Sequence, residues 1–387
     1  MMLWGGLLAG CLLLLAWTFV GYPLAMQLRA RLWPRPVRPQ PWLPRVSVCM
    51  AVHDGEAHLE AKLRDLLGHD YPADRLELVV VSDGSRDGTN AILRAFAGPR
   101  LRAVEAPLRR GKSACLADAI ALAEGEVLVF TDVRQRLAPG SIRALCEALA
   151  GGLAAAGGLL RLEDAHGYAL AVDAYWRYET ALRRAEAATG SVVGVSGALY
   201  AVRRCDMPIP PPGLVLDDLW VPLEIARRGG RVGLVEGAVA YDRASPSATV
   251  ESARKRRTLA GNWQLLAARP SLAWPGAHPL ASRFLQHKLL RLVAPLPLAG
   301  ALAANLALLG SGPWAGGLLA AQLGAYALAL AGLGWPGLRA LLPVRLASSF
   351  LEMNAYAVLG FLDFLRRRDA HLWRTAPVPL DKAPRSP

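Results

Sequence analysis

Charge is what this sequence has least of. Lysine, arginine, aspartate and glutamate make up 19% of its 387 residues, against about 25% in a soluble globular chain. The shortage is concentrated in blocks. No charged side chain precedes Arg29, and none lies between Arg291 and Arg339. A membrane-spanning helix needs ~20 mostly apolar residues, so the first block holds one span and the second has room for two. With 53% hydrophobic residues and a mean hydropathy of +0.26, the chain is neither fully soluble nor disordered.

Cysteine is sparse as well, with five in all: Cys11, Cys49, Cys115, Cys146 and Cys205. None forms a C-x-x-C pair and the odd count gives no complete disulfide framework, so buried thiols in a reducing compartment are expected. Acidic residues are outnumbered, 31 against 44 basic, for a net charge of +13. Such an excess suits nucleic acid, anionic lipid or an anionic substrate. Position decides between them. Arg29, Arg31, Arg35, Arg38 and Arg45 follow the first apolar block with no acid among them, the juxtamembrane pattern of the positive-inside rule. No zinc-knuckle spacing and no aromatic-plus-basic RNA motif is present, so membrane lipid is an expected partner and nucleic acid is not.

The pattern divides the chain into an N-terminal anchor (1–28), a basic proline-rich linker (29–45), a soluble α/β domain (46–268), an interfacial segment (269–291), a C-terminal membrane region (292–365) and a basic tail (366–387). The start carries no basic side chain, unlike a cleaved signal peptide, which predicts a retained anchor with its N-terminus outside. The prolines at 34, 36, 39, 41 and 44 predict a stiff extended linker. In the membrane region, residues 292–309 and 314–333 read as spans, with 346–365 a third candidate weakened by Glu352 and Asp363. A third span would carry Arg366, Arg367 and Arg368 outside, against the positive-inside rule. The alternative is a re-entrant or interfacial last segment. His287, Lys288 and Arg291 read as cations snorkelling from an interfacial helix.

Between 46 and 268 the texture changes. Strand-length apolar runs at 46–52, 76–81, 101–104 and 127–131 alternate with helical patterns at 56–67, 90–96 and 113–123, which predicts a parallel sheet of βαβ units. A long amphipathic stretch (170–188), a strand-like run (192–202), a proline-rich loop and a helix starting near Asp217 follow. Ligands of open α/β sheets bind at the carboxyl ends of the strands, and the polar strings fall there. The first strand runs into His53-Asp54-Gly55-Glu56. The second ends in Ser82-Asp83-Gly84-Ser85-Arg86-Asp87-Gly88-Thr89, where a carboxylate can accept from a base N–H or a ribose hydroxyl, although Asp87 and Thr89 also suit a plain helix-capping turn. Arg109, Arg110, Gly111 and Lys112 open a helix and could hold a diphosphate. Asp132 closes a buried strand and needs a partner, whether a metal, a ribose or a nearby arginine. Asp217 and Asp218 open a helix, where an N-cap role is the simplest reading.

Taken in order, these strings resemble family 2 glycosyltransferases with the GT-A fold, of the kind found in membrane-bound polysaccharide synthases. The resemblance continues through Trp176, Tyr178 and Glu179, the run from Gly197 to Arg203, Asp217-Asp218 and Arg254 to Gly261. It implies a Rossmann-like, mostly parallel sheet in a cytoplasmic catalytic domain, carried by a multi-pass protein of the cell membrane. It also implies an inverting hexosyltransferase-type enzyme using a nucleotide sugar, a UDP-sugar in the first instance, with a polysaccharide or lipid-linked acceptor. Asp54 and Asp83 would hold nucleobase and ribose, with Glu56 at the family's following acid and Lys112 near the diphosphate. Asp132 would stand at the ribose or the metal, Asp218 would be the general base with Asp217 in support, and Arg254 and Arg257 would lie at the substrate.

Three positions depart from the family pattern. Arg134 replaces the second acid of Asp-x-Asp, which leaves Asp132 as a lone ligand and weakens Mg²⁺ or Mn²⁺ binding. Arg134 could meet leaving-group charge or pair with a structural acid. The Gln-x-x-Arg-Trp string of processive synthases stands as Arg254-Lys255-Arg256-Arg257-Thr258, with Trp263 out of register, which favours single transfer to a lipid as an alternative. The usual Asn-Glu is Asp54-Gly55. A non-catalytic membrane subunit with the same fold is a further alternative.

Overall fold

The computed structural model describes residues 1–163, 169–243 and 248–366, and for 169–176 and 248 the backbone alone. The side chain of Trp176 and the tail from 367 onward lie outside the described residues. Two helices open the chain, α1 (Met2–Ala16) and α2 (Tyr22–Leu32), joined through a π turn at Trp17–Gly21 into one rod. The elements of the α/β domain follow as β1 (Val46–Val52), α3 (Glu56–Leu67), β2 (Leu76–Asp83), α4 (Thr89–Ala95), β3 (Leu101–Ala106), α5 (Lys112–Leu122), β4 (Val127–Phe130), β5 (Arg136–Leu137) and α6 (Ser141–Ala150). Then come β6 (Ala155–Glu163), α7 (Ala169–Ala188), β7 (Tyr200–Arg203), α8 (Asp217–Arg227), β8 (Val232–Arg243) and α9 (Ala248–Ala268). The C-terminal third holds α10 (Ala281–Phe284), a π turn at Leu285–Leu289, α11 (Leu290–Leu292), α12 (Pro295–Ala307), α13 (Pro313–Gly334) and α14 (Leu342–Arg366).

Eight strands form one sheet in the order β3-β2-β1-β4-β7-β6-β8-β5. The first four pair in parallel, and every residue of β1 is buried, as expected where helices cover both faces. Beyond β4 the sheet is mixed: β7 runs antiparallel to β4 and β6, and β5 antiparallel to β8, while β6 and β8 are parallel. The α/β GT-A-type architecture expected from the sequence is therefore present, with uninterrupted parallel pairing in the β3-β2-β1-β4 half and mixed pairing beyond it. The order reverses around β1, which lies between β2 and β4, and that is where a crevice opens in such sheets.

The strand-like run 192–202 yields a strand only at Tyr200–Arg203. Its first half bends over α8, where Val195 N–H donates to Asp218 O at 3.0 Å. Glycine permits the approach, since a Cβ at Gly194 would sit 3.2 Å from Leu219. The linker is extended but not free. Arg35 N–H donates to Ala188 O and Gln40 N–H to Glu147 O, so it lies along the domain.

Among the described residues two helices, Met2–Leu32 and α13, are long and apolar enough to cross a membrane. The expected span at 292–309 is not one straight helix. It breaks ahead of Pro295, and the Ala281–Leu292 segment meets α12 at a 57° bend. α12 alone, with 13 residues, reaches only ~20 Å of a ~30 Å hydrocarbon core. The candidate at 346–365 falls inside α14, which packs along α9. Arg256 makes a two-pronged pair with Asp363 at 2.9 and 2.8 Å, Trp263 meets Phe361 at 4.9 Å, and Gly360 lets the backbones close up, because a Cβ there would stand 2.8 Å from Leu259.

The three cations expected to snorkel turn inward instead. His287 is buried, with Nδ1 2.9 Å from Glu186 and Nε2 3.0 Å from Glu179. Lys288 and Arg291 each reach Glu179 at 2.9 Å, and Tyr22 donates to Glu186 at 2.8 Å. Two fully buried carboxylates on α7 supply the countercharge that the composition of 285–291 by itself does not disclose. Burial pushes the Glu179 carboxyl upward, but His287, Lys288 and Arg183 hold it well below its ordinary range.

Candidate active site

A groove of about 670 Å³ opens at the carboxyl ends of β1 and β2, lined by His53, Asp54, Ser85, Arg86, Asn90 and Arg109 among others. Its walls are set by the loops that follow the strands. Asp54 stands in the left-handed region at φ 46°, a conformation that Asn and Asp tolerate best among non-glycine residues. It is held there by its own N–H donating to Ser85 Oγ at 3.1 Å and its carboxylate accepting from Arg86 N–H at 2.8 Å. His53 Nδ1 donates to Asp83 O at 2.7 Å, which leaves Nε2 facing the Asp54 carboxylate at 3.3 Å.

Asp83 and Glu56 hold this wall together. Asp83 is fully buried, with Oδ1 accepting from Arg110 N–H at 2.6 Å and Oδ2 from Gly111 N–H at 2.9 Å. Both oxygens thus fasten the 107–111 loop. Gly84 makes room for that loop, combining φ 61° with a Cβ position 2.7 Å from Arg109 N. Glu56 accepts from Gly88 N–H at 2.9 Å while its own N–H donates to Asp87 at 3.0 Å, a reciprocal clasp between the starts of α3 and α4. The basic string 109–112 does not act as one cluster. Arg110 pairs with Asp118, Arg109 keeps Nε and Nη2 buried beside the groove without a hydrogen-bond partner, and Lys112 turns the other way.

Lys112 points into the acids. Its Nζ lies 2.9 Å from Asp132 and 3.5 Å from Asp217. Gly197 lies just beneath, where a Cβ would sit 3.4 Å from both Lys112 Nζ and Asp218 Oδ2. Burial disfavours the ammonium, but Asp132 and Asp217 reverse the balance and raise its pKa. Asp132 moves down in return: burial opposes its charge and Lys112 outweighs burial. A carboxylate–ammonium pair of this kind is a charge-assisted hydrogen bond, roughly twice the strength of a neutral one.

The two acids at the start of α8 differ. Asp217 is buried and accepts from the Tyr200 hydroxyl at 3.2 Å, and Tyr200 is itself stacked on Phe130 at 4.6 Å. The expected capping role is absent, since the N-cap of α8 is Leu216 and no side chain caps it. Asp218 is partly exposed and accepts from Gly197 N–H at 3.2 Å through Oδ2. Burial first, and then repulsion from Asp217 and Asp132, raise its pKa, with Lys112 and Arg183 pulling back. A carboxylate raised toward neutrality in a cleft is the condition for a general base.

Around this cluster, Arg134 takes the structural option, pairing with buried Asp242 at 3.1 Å. Arg256 is committed to Asp363 and Trp263 to Phe361, so neither is presented to the site. Arg257 feels Asp132, Asp217 and Asp218, although burial dominates and lowers its pKa. Arg254 is exposed and lies within the field of Asp132. The side chains that sequence reasoning passed over are Tyr200, as the partner of Asp217, and Lys62. A lysine inside an apolar helix face was the only available signal for the latter.

The donor set suits a divalent cation only in part. Among the described residues no group of three or more His, Cys, Asp or Glu could hold one. Asp217 has both oxygens engaged, by Tyr200 and Lys112, Asp218 has one held by Gly197 N–H, and Asp132 shares one with Lys112 while 41% of its side chain stays exposed. Of these three acids Asp132 and Asp218 therefore each keep one oxygen uncommitted, and Mg²⁺-type sites can be completed by substrate phosphates around one or two carboxylates.

Residues 47–199 match the family model described as glycosyl transferase family 2. Among solved structures it is similar to a mannosyltransferase, PcManGT, from Pyrobaculum calidifontis, determined in complex with GDP-Man and Mn²⁺. The TM-score is 0.70 with 26% identity, covering 93% of this chain and 99% of that one. Among curated proteins it is similar to the probable glycosyltransferase YdaM of Bacillus subtilis (strain 168), 33% identical over 95 residues. That match spans 23% of this chain and 23% of the relative.

Proposed function

We propose that this chain is a membrane-anchored inverting glycosyltransferase that moves a sugar from a nucleoside-diphosphate sugar to a lipid-linked or polysaccharide acceptor. The observation that carries the reading is the convergence of Asp132, Asp217 and Asp218 on Lys112 at the edge of the crevice, with Asp218 partly exposed and raised in pKa. In a single displacement the acceptor hydroxyl attacks the anomeric carbon as the nucleoside diphosphate leaves. Asp218 takes the hydroxyl proton, its Oδ2 steadied by Gly197 N–H. Arg257, Arg254 and Lys112 meet the developing negative charge, and electrostatic stabilisation of that kind is the main source of rate in such transfers. A divalent cation held by Asp132 and the donor phosphates would add to that neutralisation. Asp54 and Arg109 face the groove that would take the nucleoside.

The expectation of a UDP-sugar is one arm of the test, since the similar mannosyltransferase was determined with GDP-Man. Nucleotide release by membranes carrying the protein, measured across a panel of UDP- and GDP-sugars with a lipid-phosphate or oligosaccharide acceptor, should single out one donor. Absence of acceptor-dependent release with every pair would overturn the reading in favour of a non-catalytic subunit.

The seat of α14 supports one membrane placement. α14 is pinned to α9 of the catalytic domain, so both lie on one face of the bilayer and the chain between them crosses an even number of times. With α13 as one crossing, the bent Ala281–Ala307 segment supplies the other. The arginines after the first span support a cytoplasmic location for that face. This arrangement removes the conflict over the C-terminal arginines, because α14 returns to the domain side instead of spanning.

A further inference from the structure

Lys62 occupies a place where an apolar residue would be expected. It lies on α3 between Leu59, Leu63 and Leu66, all fully buried, and is itself 3% exposed. Lysine is almost never fully buried unless paired with an acid, and no carboxylate lies within ion-pair distance of it among the described residues. Its Nζ donates instead to Thr131 Oγ1 at 3.0 Å and to Gln135 O at 2.6 Å. Those two residues are the ends of the turn that carries Asp132 and Arg134. The Thr131 hydroxyl passes the tie on, donating to Ala198 O at 2.9 Å, next to Gly197, whose N–H holds Asp218.

Asp65 of the same helix face and His69 just beyond its end continue the seam. Asp65 accepts from Leu137 N–H at 3.1 Å, and a His69 ring nitrogen faces Ala138 O at 3.3 Å. Positions 62 and 65 share one face of α3, and His69 follows just past its C-terminal end, so a polar stripe runs beneath the segment after β4. Burial lowers the Lys62 pKa to about 8 against the attraction of Asp65 and Asp132. The fold therefore disfavours this cation on its own account, which a merely structural residue in a leucine cluster would not require.

We propose that Lys62 is a positioning residue: from inside the core it clamps both ends of the Thr131–Gln135 turn, and through Thr131 the 197–198 turn, so that Asp132 and Asp218 keep their spacing across the reacting centre. The inference rests on the function proposed above for those two acids, but the clamp can be measured separately. A 1 Å misplacement can cost on the order of 100-fold in rate.

The test uses the full chain in detergent or membranes, comparing Lys62→Met with the parent. Met fills the volume without charge, so the melting temperature should hold or rise while kcat/KM for the donor falls about 10- to 100-fold. Amide hydrogen exchange across 131–135 should speed up, whether or not a donor has been identified. Thr131→Val, which removes only the relaying hydroxyl, should reproduce part of the loss, with the double variant no worse than Lys62→Met. A parallel fall in melting temperature and activity would make Lys62 structural and overturn the proposal, as would unchanged exchange and unchanged kinetics. Should Lys62→Met fail to fold, Thr131→Val decides, and parental kinetics in it would overturn the clamp. Faster exchange in a protein that transfers no sugar would leave the clamp standing and refute only the proposed function.

Discussion

Replacing Asp218 by Asn separates chemistry from stability in one step. The side chain keeps its size, and its amide oxygen can still accept from Gly197 N–H, now 3.2 Å from Oδ2. On the proposed assignment what is lost is the proton acceptor, and a positioned base is worth about 10²–10⁴-fold, or roughly 2.7–5.4 kcal/mol of barrier at 1.36 kcal/mol per decade. Stability should move the other way. The folded pKa of Asp218 is raised above its ordinary 3.8, so between the two values the native state binds more protons than the unfolded one. Stability then falls as pH rises through that window, and above it the carboxylate is a net cost that Asn removes. Thermal melting of Asp218→Asn at pH 7 should match or exceed the parent, with donor KM little changed and kcat collapsed. The acid limb of the parent's kcat profile should lie above the ordinary carboxylate range. Asp217→Asn should retain more activity, because Asp217 is buried against Tyr200 and Lys112 and does not open on the cleft. If Asp217→Asn were the inactive variant and Asp218→Asn the active one, the assignment of the base would be wrong.

Chelation should slow transfer without abolishing it, and Mn²⁺ should bind measurably only with nucleotide present, since among the described residues no group of three or more possible ligands comes together. Tight Mn²⁺ binding to the nucleotide-free protein in calorimetry would contradict that. His287→Leu should cost roughly 3–5 kcal/mol, the usual penalty for stripping a buried charge of its partner, and adding Glu186→Gln should recover part of it. An unchanged melting temperature in the single variant would mean that the Glu179–His287–Glu186 chain carries no stability. Glu179, with its depressed pKa, contributes stability above pH ~4.5 that is lost as pH falls through its folded value, so melting temperature should drop on acidification. Finally, a tag placed after α14 and an epitope in the catalytic domain should be protected together from protease added to right-side-out vesicles. Digestion of only one of them would break the even-crossing topology.

The parallel half of the sheet was legible because its signals are local. β1 and α3 fall on the residues that periodicity marks, and the polar strings sit at strand ends as α/β geometry demands. β6 was not legible, because Ala-Ala-Gly-Gly carries no alternation. The 192–202 run looked like a strand because β-branched residues dominate it, while its glycines serve an approach to α8 that no local pattern encodes. The membrane region misled for a related reason: an apolar run reports that a segment is buried, not whether proline bends it or another helix receives it.

At the site the same letters perform different tasks, and register decides which. Asp83, Asp132 and Asp218 all follow apolar or capping positions and all resemble ligand contacts in one dimension. Asp83 ends β2 opposite Ala106 of β3, just before a loop whose N–H groups fold back over it, so both its oxygens are taken by backbone. Asp132 lies past the end of β4 with only an ammonium beside it, and Asp218 shares its turn with an acid that Tyr200 has claimed. The distinguishing facts are long-range: a positive φ at Gly84 that admits the 107–109 loop, and a parallel pairing that sets β1, β2 and β4 in step. Lys62 is the extreme case. Its identity is plain in the sequence, but its meaning depends on two groups 69 and 73 residues away, brought to one point only when α3 settles under β4. A residue that the core would exclude on its own account, placed to hold the turn between two acids, is evidence that the geometry of that turn matters more to this protein than the stability it gives up there.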